Sequence, residues 1–449
     1  MDETEPKERT VPTAAVESSA NFVEESPNVI EARNFSVLTL YQVLLRTGWI
    51  FKTESIIMPA VLDTIAGQGW VRGLLPVLNR FGYSVPPLLM ARRIKVMGRK
   101  KWSLLSTTVC MALTFFGLAS LFLFDRQKHG NWLPVAFLVL YAIFFIAIGV
   151  NQLSFNTLQG KLVPANRRGR LLLVSNTAGA VTAIACALLL LPNWLHDDAP
   201  RFDLIFCFCG VLFSLSAIVT CMVVESVDRF HQIPSAVHEY FFDAWRLLVR
   251  DVAFRRLAFV GAMYGTTIML FPHYQNLGLS VMKLRLSNLM WWVVVQNVGT
   301  ALFSIPAGPI ADRYGNRLVL NLGMLGIIAA PILAVSLLHF TGQAKLLFNL
   351  VFLFVGLTPV VLRSFQNFAL ELSQPEDHPR YLSTISLLIA CPIVLSPLAG
   401  RLVDQMGYEP VFLAVAGMGF LGWLGSFGLI EPREIPPTLQ LTATEEITT

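Results

Sequence analysis

Residues 308–317 read Gly308-Pro-Ile-Ala-Asp312-Arg313-Tyr-Gly315-Asn-Arg317. The reading of the fold starts from this stretch, because it has a distant echo in the same chain. A shift of 217 positions lays Gly315 on Gly98 and Gly299 on Gly82, and brings the stretch onto Ala91-Arg92-Arg93-Ile-Lys95-Val-Met-Gly98-Arg99-Lys100. Pro59 pairs with Pro272 at a shift of 213, while Asn156 with Asn367 and Pro164 with Pro375 share a shift of 211. Matches that keep one order and one near-constant spacing mark a duplication.

The surrounding sequence is apolar. Of 449 residues, 54% are hydrophobic and 14% charged, with 32 Phe and nine Trp. Soluble domains carry about 25% charged residues, so water is the wrong solvent for this chain. A bilayer core of ~30 Å takes about 20 apolar residues per helix. Twelve runs of that size follow, near 37–62, 70–92, 102–124, 132–153, 171–192, 202–224, 257–279, 288–311, 318–338, 346–363, 381–400 and 410–430. The expected fold is all-α and integral to the membrane, with twelve transmembrane helices in two homologous six-helix bundles at 37–224 and 257–430. Polar tails at 1–36 and 431–449 are expected to be disordered and cytoplasmic. The linker 225–256 has Val237, Phe241, Trp245, Leu248 and Val252 at helical spacing beside four arginines, which predicts an amphipathic helix on the membrane face. The six cysteines lie in apolar runs and read as small core residues, not as a disulfide or zinc set.

Lys and Arg divide unequally between the two sets of loops. Those at 92–101, 154–170, 225–256, 309–317 and 366–380 carry 18, and the alternate loops carry 7. The positive-inside bias places the first set and both termini in the cytoplasm, with the plasma membrane as the expected location. It accounts for the net charge of +5 without nucleic acid.

The motif Gly308-x-x-x-Asp312-Arg313-x-Gly315-x-Arg317, with a related Gly400-x-x-x-Asp404-x-x-Gly407 after span 11, resembles the loop signature of the major facilitator superfamily. The resemblance runs over residues 37–430. It implies two bundles rocking about a central solute site, that is, secondary transport by alternating access. Two features depart from the family pattern. Lys95 stands in the first-half loop where the family has an acid, and Asn176-Thr-Ala-Gly179-Ala180 replaces the Gly-Pro pair of span 5 that marks antiporters. By analogy, Asp312 near the start of span 5, with Arg170 and its neighbours, is expected to latch the halves on the cytoplasmic side, helped by a helix N-terminus that attracts carboxylates. Gly308 is expected at a close helix approach and Gly315 in a tight turn.

Charges within spans are costly and mark candidate function. Span 1 holds Arg46, Lys52 and Glu54, and span 2 holds Arg80. On a continuous helix Lys52 and Glu54 point to different faces, so Arg80 becomes the expected partner of Glu54. Arg46 and Arg363 are expected to snorkel to the interface. The resemblance adds Asn151 and Gln152 (span 4), Tyr264 and Thr267 (span 7) and Arg363 (span 10) as candidate cavity-lining residues. His273 reads as interfacial.

No HExxH, GxSxG, CxxC or P-loop motif occurs, so neither an enzyme nor an ATP-driven pump is expected. The preferred reading is a monomeric carrier of a small, anionic solute, proton-coupled, with the bilayer as its surroundings and no cofactor or metal. The alternative is a transporter-like receptor or scaffold that binds without moving its ligand.

Overall fold

A computed structural model describes residues 27–124, 132–196, 199–227, 237–340, 344–374 and 377–431. Span 1 is two helices, α1 (Pro27–Phe51) and α2 (Ile57–Ile65). Spans 2 to 6 are α3 (Gly69–Val96), α4 (Lys101–Phe124), α5 (Leu133–Leu162), α6 (Ala165–Trp194) and α7 (Phe202–Cys221). The linker helix is α8 (Val237–Arg250). Span 7 is α9 (Val252–Ile268) and α10 (Phe271–Asn276), extended by a π-helical turn over Leu277–Val281. Spans 8 and 9 are α11 (Asn288–Tyr314) and α12 (Asn316–Ser336). Span 10 joins α13 (Ala344–Leu347), α14 (Asn349–Val355) and α15 (Thr358–Glu371), and span 11 joins α16 (His378–Ala390) and α17 (Ser396–Met406). Span 12 is α18 (Tyr408–Phe427).

Among the described residues, nine helical stretches are individually long and apolar enough to cross a bilayer. The other three spans are those with interruptions or charge: span 1, span 2 with three internal prolines, and span 7 with its break after Ile268.

The superposed glycines are packing positions. A Cβ on Gly82 would meet the Phe145 carbonyl oxygen of span 4 at 2.4 Å, and one on Gly299 would meet that of Leu353 in span 10 at 2.3 Å. Spans 2 and 4, like spans 8 and 10, therefore touch backbone to backbone.

Several expectations need correction. The first helix starts at Pro27, inside the stretch assigned to the tail, because Asn34 ties it down: its side chain donates to the Val224 carbonyl at 2.8 Å and accepts from the Val224 amide at 2.9 Å. Residues 1–26 and 432–449 lie outside the described residues. The linker does form a helix, α8, in which Ala244 and Leu247 are buried while Trp245 and Val249 are 67% and 56% exposed. Of the cysteines only Cys209 is buried, and Cys207, Cys221 and Cys391 are exposed. In a membrane span an apolar run has a lipid face as well as a core face.

Two apolar cores are present among the described residues. One fills the first bundle and continues through Leu277, Trp292, Phe352, Val403 and Phe412 of the second. The other, around Phe254, Tyr264, Phe365 and Ile385, lies within the second bundle on the side of the basic loops. The halves thus share a core only on the side away from those loops.

Candidate functional site

That side is sealed by short side chains and polar bonds. Gly69 and Gly73 of α3 face α17: a Cβ on Gly69 would lie 2.4 Å from the Gly400 carbonyl oxygen, and one on Gly73 would lie 2.4 Å from that of Ser396. Asp404 accepts from the Gly69 amide at 2.7 Å and lies 3.6 Å from Arg72, which also pairs with Asp63. Asp63 in turn accepts from Gln275 and Asn276 of span 7, each at 2.6 Å, and Tyr408 donates to Asn276. His273 beside this cluster is fully buried, with neither ring nitrogen bonded among the described residues. It is not interfacial, because α10 is capped by this cluster and not by solvent. Gly407, at φ +85°, makes the one-residue turn into α18.

On the basic-loop side the halves stand apart. No residue from Ala301 to Tyr314 is buried, and nothing lies within 4 Å of a Cβ on Gly308. Gly308 therefore makes no close helix approach in this conformation. Arg170, Asp312 and Arg313 are exposed. Gly315, at φ +84°, turns the chain into α12, whose first amides are met by Glu431: the Arg317 amide donates to it at 3.0 Å. The first half repeats this cap, with Glu225 accepting from the amides of Lys100 at 2.9 Å and Lys101 at 2.8 Å.

Between the two ends, span 1 is broken at residues 52–56. The break overturns the separation expected of Lys52 and Glu54, since positions two apart diverge only on an unbroken helix. Here Lys52 Nζ lies 2.5 Å from Glu54 Oε1. The ammonium group has no solvent exposure and sits 3.1 Å from the Trp49 ring centre, with Phe144 and Phe145 at 4.9 and 5.0 Å. Such a cage is attracted to a cation by its ring quadrupoles. Glu54 keeps 18% side-chain exposure, and its second oxygen accepts from Asn79 at 2.5 Å. Asn79, not Arg80, is thus the partner on span 2.

The repeat mate of Asn79 at the same shift of 217 is Gln296, and it reaches the same break: Ser55 donates to it at 2.7 Å across the two halves. Both halves therefore hold span 1 where its helix is interrupted. Neither residue was singled out from sequence, although their shared offset was available.

Arg80 is half-buried and pairs with no carboxylate among the described residues. Arg46 does not snorkel, since its guanidinium donates to Asn176 on α6 at 2.8 Å and its stem packs on Gly179. Arg363, exposed on span 10, is close enough to Arg46 for the charges to repel. Gln152 is exposed and bonded to Asn156. The other candidates are internal. Asn151 is bonded to Tyr41, Thr107 and Thr108 within the first bundle. Tyr264 donates to the Thr358 carbonyl at 2.9 Å, and Thr267 donates to the carbonyl of Tyr264.

Twelve spans, a two-bundle repeat and a charged cleft between bundles define a multi-pass membrane protein. Residues 282–448 match the family model "Major Facilitator Superfamily". That stretch, in the second half of the chain, is similar to the family, and solved transporter structures share the fold of the whole. The nucleoside transporter NupG superposes with a TM-score of 0.69 at 14% identity, covering 89% of this chain and all of its own. A POT family transporter in complex with 5-aminolevulinic acid gives 0.69 at 12%, covering 89% and 96%. A D-xylose-proton symporter gives 0.64 at 14%, covering 90% and 98%. Among curated sequences, uncharacterized proteins of Mycobacterium bovis and Mycobacterium tuberculosis are 25% identical over 301 residues. That match covers 63% of this chain and 54% of theirs, so the chain spans about half the length of those relatives.

Proposed function

We propose that this chain is a secondary carrier of a small anionic solute, working by alternating access and drawn here open to the cytoplasm. The observation that carries the anionic preference is the charge of the cleft. Lys52 and Glu54 neutralise one another, while Arg46, Arg80 and Arg363 bring three further positive charges without a carboxylate partner among the described residues. Like charges facing each other in a poorly solvated cleft favour entry of an anion that screens them. The Lys and Arg bias of the loops supports a cytoplasmic assignment for the open side and both termini, in the plasma membrane. Glu54, bonded yet reachable from the cleft, is the coupling-proton candidate. Asp312 and Arg170 would approach one another only when the cytoplasmic side closes, which supports a latch that acts in the outward-facing state.

The test is counterflow in proteoliposomes with a panel of carboxylates and organophosphates, alongside thermal unfolding of the purified chain. A solute at 100 times its dissociation constant stabilises by ~2.7 kcal/mol. Flux of an anion, weakened in Arg363→Gln, is the expected result. Binding without flux would favour a receptor or scaffold, and flux confined to neutral or cationic solutes would reject the anionic reading.

A further inference from the structure

His273 is buried completely on the sealed side, yet neither ring nitrogen has a hydrogen-bond partner among the described residues. A buried polar group without a partner is costly, and native structures hold few of them. The segment that carries it has the features of a hinge. Span 7 breaks after Ile268, resumes as the short helix α10 with Pro272 in its first turn, and passes into the π-helical turn at Leu277. Prolines and π turns are where helices bend. The groups around His273 divide between the halves. Asp63 on α2 and Arg72 on α3 belong to the first half, whereas Asp404 on α17, Tyr408 on α18 and Tyr274 on α10 itself belong to the second. Glu409, next to Tyr408, pairs with His339 of its own half at 3.5 Å. Arg72 stands close enough to His273 to repel a charge on it. Both carboxylates are already engaged: Asp63 by Arg72, Gln275 and Asn276, and Asp404 by Arg72 and the Gly69 amide. With the seam shut, a proton on His273 would add a second buried cation and gain no partner. When α3 parts from α17, Arg72 leaves with the first half. Asp404 then loses Arg72 and the Gly69 amide together, and it stays in the half that carries His273.

We propose that His273 is a proton-binding site that controls the sealed side: neutral, it lets α3 and α17 close, and protonated from the solvent beyond them it holds them apart. The proton sits on a ring nitrogen in the open form and returns to the same solvent before the seam shuts. The site therefore responds to pH on one side of the membrane, and it is distinct from Glu54 at the mid-span break. It is also independent of which solute the cleft carries.

The test uses the full chain purified in detergent, with the accessible native cysteines replaced and spin labels on Gln68→Cys and Gln405→Cys. Both positions are exposed, Gln68 just before α3 and Gln405 on α17, so the label distance lengthens as the seam opens. An exposed imidazole titrates near ~6.5. A proton that binds only the open form then raises the open-to-shut ratio about tenfold between about pH 8 and about pH 5.5. The expected result is a long-distance population that grows on acidification by that factor. His273→Gln keeps a neutral polar group and His273→Phe keeps a ring; each should hold the ratio constant, and either suffices if the other fails to fold. Glu54→Gln should keep the full shift. The proposal is overturned by a ratio that does not rise on acidification, or by a rise that survives in a folded His273 variant. It is equally overturned by a rise that disappears in Glu54→Gln, which would assign the titration to the mid-span pair.

Discussion

Gly400→Ala should move the molecule from the conformation open on the basic-loop side toward one closed on that side. A Cβ at residue 400 would lie 2.1 Å from the Gly69 carbonyl oxygen, well inside the 3.0 Å that real Cβ atoms keep, and the obstacle is backbone. Overpacking of this kind costs ~1–3 kcal/mol. The cost falls only on the conformation in which α3 and α17 are pressed together. The gain in helix propensity from Gly to Ala applies to both conformations and cancels. The whole penalty therefore acts on the equilibrium, and ~1–3 kcal/mol changes the ratio of the two conformations by about 5- to 150-fold. Spin labels on Gly169→Cys and Ile305→Cys read that ratio as a distance across the opening on the basic-loop side, in a background with the accessible native cysteines replaced. Gly169 has open space around it, and Ile305 is 73% exposed. Gly400→Ala should add a short-distance population that Gly417→Ala, where a Cβ meets nothing, does not. A lowered melting temperature with an unchanged distance distribution would refute the reasoning, because the clash would then be absorbed without α3 and α17 parting.

The same labels should respond oppositely to Asp312→Asn, which removes the latch and depletes any short-distance population; equal distributions would retire the latch. Arg72→Gln leaves Asp63 and Asp404 without their cation at a site where Arg72 is 3% exposed. Removing one partner of a buried pair costs ~3–5 kcal/mol, so this variant should open the outer side more strongly than Gly400→Ala or fall in melting temperature. Glu54→Gln keeps a hydrogen-bonding group of the same shape but cannot carry a proton as a carboxylate does. Counterflow should persist in it, while gradient-driven uptake loses its pH dependence, and retained dependence would place the coupling proton elsewhere. Arg363→Gln should weaken anion binding at least tenfold and leave the melting temperature of the unliganded protein unchanged or higher, because a repulsion with Arg46 is relieved; a fall in both would assign Arg363 to structure.

The global fold was legible because its signals are long: apolar runs, loop charge and a repeat that recurs over the whole chain. The site was legible only as composition. Sequence placed Lys52, Glu54, Arg46 and Arg80 within spans, but the pairing rule applied to them assumed an unbroken helix, although Pro59 cannot donate to the Ser55 carbonyl four residues before it and so marks a break there. Once the helix opens, Lys52 and Glu54 meet directly and Arg80 is released. In the outer cluster only the Gly400-x-x-x-Asp404-x-x-Gly407 motif was singled out, and its partners Asp63 and Arg72 were missed for a different reason. Asp63 and Arg72 sit at span ends, where a charge normally faces solvent, and their burial comes from α10 and α17, more than 200 residues away. Asn151 and Tyr264 illustrate the reverse error. They lie on spans expected to face the cleft, yet each points to a neighbouring helix of its own bundle.

The repeat also separates what builds the halves from what makes them differ. Glu225 and Glu431 each follow the last span of a half and accept from the first amides of that half's third span. Gly82 and Gly299 each let the second span of a half touch the fourth. These duplicated pairs hold each bundle together, and exchanging one half's version for the other's would change little. Asn79 and Gln296, Arg80 and Asn297, and Lys95 and Asp312 are pairs that differ. Asn79 binds a carboxylate within its own half, whereas its mate Gln296 binds a hydroxyl of the opposite half. Arg80 carries a charge where its mate is the neutral Asn297, and Lys95 opposes Asp312 in sign. A carrier built from two identical halves would present the same charges to its solute from both sides. Here the first half supplies Arg46, Arg80 and the Lys52–Glu54 pair, and the second supplies Arg363. On the proposed reading, an anion in the cleft would be held mainly by the first bundle. The second bundle would then be the one that moves against it, and Arg363 is where that movement would be felt.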